Sequence, residues 1–138
     1  MARLLTGILF LMVLLGVQNG SGVAAAAEDS TLTVRQIMQS IIAPMTTILW
    51  GAYDIQTDQQ WQELENAAVS VIAAGILLES IGTDSSQADW RTFNQKMSDA
   101  ARAALAAIQN QDEEALFTAG NDQLYPPCES CHQRYMAQ

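Results

Sequence analysis

Beyond residue 30 the apolar positions recur at intervals of three and four, and nowhere do they alternate as a strand requires. In TLTVRQIMQSIIAPMTTILWGAYD the series Val34, Met38, Ile41, Met45, Ile48 and Ala52 predicts the buried stripe of a first helix. Pro44 falls inside that stretch, where it removes a backbone hydrogen bond and is expected to kink or break the helix. A second helix opens on Thr57 and Gln60, spaced as a capping box. It carries Trp61, Leu64, Ala68, Val71, Gly75 and Leu78 inward and ends near Gly82, a C-cap glycine. Asp84, Ser85 and Ser86 offer N-caps to a third helix with Trp90, Phe93, Met97, Ala101, Ala104 and Ile108 on one face, ending at Asn110. The acidic turn Asp112, Glu113, Glu114 suits the N-terminus of a fourth, which runs through Leu116, Phe117 and Ala119 toward Leu124. Pro126 and Pro127 are expected to stop it and to start a fresh helix. Four amphipathic helices with short links, each with one apolar face, are most simply buried together as an antiparallel four-helix bundle, an all-α fold.

The first residues follow a different rule. Arg3 precedes the apolar run LLTGILFLMVLLGV, and QNGSGVAAAAED then supplies small and polar residues, the layout of a secretory signal peptide over residues 1–27. The run is shorter than the roughly 20 residues needed to cross a bilayer, so no stable membrane span is expected after processing. What is left, residues 28–138, is one domain. Losing Arg3 moves the formal charge from −9 to −10, with five basic residues facing fifteen acidic ones. Such a surface repels nucleic acid and anionic lipid, and it suits a basic protein partner.

The chemistry is concentrated in YPPCESCHQRY, residues 125–135, which holds both cysteines and the only histidine. On a helix Cys128, Cys131 and His132 stand at i, i+3 and i+4, and so share a face. Two thiols in that arrangement can bond to the two vinyl groups of a haem while the imidazole ligates its iron. This C-x-x-C-H spacing is the signature of covalent c-type haem attachment. Three rivals use the same atoms. A redox dithiol wants a βαβ setting and an activated thiol. Structural zinc wants four ligands, and only three exist here. A disulfide across two intervening residues closes too small a loop to stabilise much.

With a signal peptide, a four-helix pattern and CESCH close to the C-terminus, the sequence resembles the class II c-type cytochromes, cytochrome c′ and its low-spin relatives. The resemblance implies a bundle whose last helix carries one covalent haem c, with His132 as proximal iron ligand and the first helix over the opposite face. Tyr135, three after the histidine, matches an aromatic position usual in the family. It further implies a protein that transfers single electrons, with a homodimer as one assembly open to it; the signal peptide points to the periplasm, and the acidic charge to a basic redox partner. The alternative in the same family is a five-coordinate haem that binds nitric oxide or carbon monoxide.

The sixth iron ligand separates the two. A second histidine is excluded, which leaves Met38, Met45, Met97 and Met136. Met136 is on the proximal helix, and the resemblance does not place Met97 over the iron. Met38 and Met45 share a stripe but lie about 10 Å apart at roughly 1.5 Å per residue, so only one can serve. Met38 is near the start of the first helix, where low-spin relatives place their ligand, and is the expected distal ligand; methionine is equally a common core filler. Arg35 is read as a solvated arginine or a propionate partner, and Trp50, Trp61 and Trp90 as core or haem-pocket packing rather than electron relays. Glu63, Glu65, Glu79 and Asp99 are read as solvated faces. No nucleophile–base pair is visible in the sequence, and an enzyme is not expected.

Overall fold

The computed structural model describes residues 32–81 and 88–136, and every regular element among them is helical. Helix α1 begins as Val34–Ile37, widens over Met38–Ile42 and continues as Ala43–Trp50. Helix α2 is Asp58–Ile81 and α3 is Ala88–Gln109. Helix α4 runs as Glu113–Thr118, Ala119–Leu124 and Tyr125–Tyr135. The signal segment, Gly82 and the caps at residues 84–86 lie outside the described residues.

The helix starts follow from local hydrogen bonding. Thr57 and Gln60 form the expected capping box, the Thr57 amide donating to Gln60 Oε1 at 3.0 Å and the Gln60 amide to Thr57 Oγ1 at 3.2 Å. Thr33 and Gln36 form a second one. Asp112 caps α4 by accepting from the Ala115 amide at 2.9 Å. At the end of α3, Gln111 takes a left-handed conformation with φ 53°. Its amide then reaches the Ile108 carbonyl and the Asp112 amide reaches that of Ala107, which satisfies two terminal carbonyls.

Of the kink or break expected at Pro44 the break does not occur, since α1 continues through it, and, contrary to expectation, Pro126 with Pro127 does not divide α4 into two helices. In both places the turn ahead of the proline widens, and the residue before the proline donates across five residues instead of four. Ala43 N–H bonds to the Met38 carbonyl and Tyr125 N–H to that of Gly120. A wide turn of this kind makes room for a ring that would otherwise press on the carbonyl four residues back. It also corrects the expected stripe of α1. Its fully buried residues are Ile37, Ile42, Thr46 and Leu49, while Ile48 is exposed and Met38, Ile41 and Met45 are half-buried. The interval of five from Ile37 to Ile42 spans the wide turn, so a frame built on threes and fours slips there.

Each helix packs on the next in sequence, and the end of α1 also touches α4. The α2–α3 interface is the most extensive and is built from small residues. Ala67, Ala68, Ala74 and Gly75 of α2 are buried, as are Ala100, Ala101 and Ala104 of α3. Trp90 caps the far end of α2, its indole Nε1 donating to the Leu78 carbonyl at 2.7 Å. At Gly75 the helices approach so closely that a methyl group would run into Ser98 Oγ and stand 3.3 Å from the Met97 methyl carbon. Ser98 Oγ is buried with no hydrogen-bond partner. Gly75→Ala is therefore expected to lower stability by about 1–3 kcal/mol, the usual cost of overpacking. Adding Ser98→Ala should recover part of that loss, because it removes both the obstacle and an unsatisfied hydroxyl. Urea denaturation of the two single variants and the double variant measures the coupling; strictly additive effects would count against this contact.

Candidate functional site

Pro126 and Pro127 occupy the first turn of Tyr125–Tyr135, and the turn that follows carries Cys128, Cys131 and His132. All three line one cavity of about 350 Å³ between α1, α3 and α4. The α1 wall is Met38, Gln39, Ile42, Ala43, Thr46, Thr47 and Trp50; α3 contributes Phe93, Asn94 and Met97; α4 contributes Pro127 and Met136 beside the three motif residues. The lining is mostly apolar with a few polar groups, and the volume lies within the roughly 300–1,000 Å³ of small-molecule sites.

Cys128 is half-buried, Cys131 is buried and His132 is exposed. Both cysteines are free thiols. Burial, reinforced by the charge of neighbouring Cys131, pushes the Cys128 thiol up to about 11, and burial also raises that of Cys131. A redox dithiol needs the opposite, a thiol whose ionisation is made easy. Among the described residues no group of three or more histidine, cysteine or carboxylate side chains is gathered closely enough to hold a metal ion. The motif thus presents its thiols and imidazole along one wall and does not close them around a point.

The methionines separate by position. Met38 is half-buried and faces the cavity from α1, whereas Met45 does not line it. Met97 borders the cavity but extends its methyl group toward Gly75 in the α2–α3 interface. Met136 lies one turn past His132 on the same helix and is exposed. Tyr135 stands edge-on to Trp90 at 5.2 Å and to Phe93 at 6.5 Å, which ties the end of α4 to α3. Trp50 lines the cavity, donates from Nε1 to the Gly120 carbonyl at 3.1 Å and meets Tyr125 edge-on at 6.3 Å.

The other sequence candidates lie elsewhere. Arg35 is exposed and does not line the cavity. Asp99 pairs with Arg102 at 2.8 Å on the surface. Glu63 and Glu65 border a groove beside the half-buried Trp61, between the start of α2 and the end of α3. Glu79 is half-buried.

Two buried polar residues of the lining were missed by sequence reasoning. Asn94 donates from Nδ2 to the Trp90 carbonyl at 2.8 Å and borders the cavity. Thr46 donates to the Ile42 carbonyl at 2.8 Å. Each had a readable signal: Asn94 stands four after Trp90 and three before Met97, a polar residue within an apolar stripe. Thr46 stands likewise between Ile42 and Leu49. Compared with known proteins, the chain matches no family model, no curated protein and no solved structure.

Proposed function

We propose that this chain is an exported, periplasmic c-type cytochrome, an antiparallel four-helix bundle whose last helix carries one covalent haem c, and that it transfers single electrons. The observation that carries this reading is the shared cavity. Two thiols and an imidazole on α4 face an apolar space of ligand size, and a thioether stands on the opposite wall at Met38. The donor set fits a haem. Cys128 and Cys131 would hold it through thioether bonds to its two vinyl groups, an addition in which nothing leaves; His132 would supply a nitrogen ligand for its iron and Met38 a sulfur ligand. The bound group supplies the one-electron chemistry.

The chain's own residues do the rest. Phe93, Ile42 and Pro127 keep the space apolar, and burial on several sides limits access of water, which tunes the potential of such a centre. Asn94 and Thr46 place the polar groups of the lining. The acidic surface favours a basic redox partner through steering that salt weakens.

Absorption spectra of the ferric and ferrous protein, with and without carbon monoxide, test the reading. A low-spin haem indifferent to carbon monoxide is expected. A high-spin haem that binds the gas readily transfers the assignment to a five-coordinate gas-binding protein, and a colourless protein removes haem altogether.

A further inference from the structure

Of the aromatic side chains among the described residues, Trp50, Tyr53, Phe117 and Tyr125 are the exposed ones, at 41, 79, 65 and 52 %. They share one region. Trp50 ends α1 and bonds to Gly120 of α4; Tyr125 meets Trp50 edge-on. The Ile55 amide donates to Glu113 Oε1 at 3.2 Å, which draws the loop carrying Tyr53 against the first turn of α4, where Phe117 follows one turn later. The carboxylates of this seam are Asp54 and Glu113, both exposed, and no lysine or arginine occurs between Arg35 and Arg91 or between Arg102 and Arg134. Glu114 and Asp122 border grooves on the α3 side, the latter shared with Lys96. Trp50 also lines the cavity, so one edge of the site reaches this seam through an aromatic ring.

We propose that the α1–α4 seam around Trp50, Tyr53, Phe117 and Tyr125 is the docking surface for a basic redox protein, whose lysine and arginine side chains meet the exposed rings and the carboxylates beside them. The inference rests on the electron-carrier reading and gives it a place. Exposed tyrosine and tryptophan are favoured anchors at protein interfaces, and their faces attract cations. Asp54 and Glu113, in a chain with fifteen acidic and six basic residues, add the steering that brings a basic partner to this face. A second copy of the chain is the poorer occupant, because two such seams brought together would oppose like charges.

Amide shift mapping of the isotope-labelled holoprotein titrated with an oligolysine peptide at low salt tests the surface. Electron-exchange rates with a lysine-rich redox protein test its use. Shifts are expected to centre on residues 50–55 and 113–125. The triple variant Tyr53→Ser, Phe117→Ser, Tyr125→Ser should weaken peptide binding and slow exchange at least tenfold, with the haem spectrum unchanged. Shifts centred on the rival acidic groove at Glu63 and Glu65, no binding at all, self-association through the seam, or an unimpaired triple variant would each overturn the proposal. The mapping on the unaltered protein decides even where the variant does not fold. Because amide shifts need no iron, a chain that binds oligolysine at the seam yet carries no haem defeats the electron-carrier reading and leaves the surface standing.

Discussion

Haem staining is expected to vanish from a denaturing gel when Cys128 and Cys131 are both replaced by alanine, while the unaltered protein, matured in a host with a working haem-ligation system, keeps it. The reason is bond type. Denaturant removes every contact that depends on the folded cavity, including an imidazole–iron bond, but leaves carbon–sulfur bonds intact. His132→Ala should therefore keep the stain although its iron has lost a ligand. The rivals predict otherwise: a disulfide or a thiol–metal site leaves even the unaltered protein unstained. Loss-free staining of the double variant would falsify covalent attachment through this motif. The substitutions should cost only modest fold stability by themselves, because Cys128 is half-buried and at buried Cys131 alanine removes a single sulfur. The loss is then a loss of chemistry and not of structure.

Replacement of Met38 by alanine is expected to convert a low-spin iron to a high-spin one, and to raise affinity for carbon monoxide by a factor of about ten or more, on the order of 1.4 kcal/mol or above. The same substitution at Met45 should leave the spectrum unchanged. Met38 and His132 line the same cavity from different helices, whereas Met45 is outside it. Met97 faces a different helix at its tip, and Met136 shares the proximal helix. Each truncation also removes packing, but Met38 and Met45 are both half-buried, so that loss should be similar in the two. The contrast between them isolates ligation. A spectrum unmoved by Met38→Ala, or moved equally by both variants, would reject Met38 as the distal ligand.

Much of the fold was legible because its signals are local. The period of three and four holds through α2, where Leu64, Ala68, Val71, Gly75 and Leu78 are all buried, and through α3 from Trp90 to Ile108. The Thr57–Gln60 box and the Asp112 cap were readable for the same reason, since both partners lie within one turn. What failed was the assumption that helical pitch is uniform. Pro44 was read as kinking or breaking its helix and Pro126 as stopping one, but a helix held on several sides by neighbours can widen one turn and continue. Once it does, Ile37 and Ile42 share a face that no α-helical frame assigns them. The α4 side of the site was legible because CESCH is a spacing rule. Its opposite wall was legible at Met38 and Trp50; Thr46 and Asn94 belong to the lining through packing between helices distant in the chain.

The two wide turns also bear on how the length of this chain can vary. Each holds one residue more than an α-helical turn needs, so Met38–Ile42 and Ala119–Leu124 are places where a residue can be lost without interrupting the helix. The loss would still be felt, because tightening the turn rotates everything on one side of it by about 100°, the angle of one α-helical step. In α1 that rotation carries Val34–Ile37 and Met38 around relative to Ala43–Trp50. In α4 it carries Cys128, Cys131 and His132 around relative to Leu116. Single-residue gaps between diverged copies of this chain are therefore expected to fall in these two segments, and a gap in only one of them would change which side chains oppose each other across the cavity.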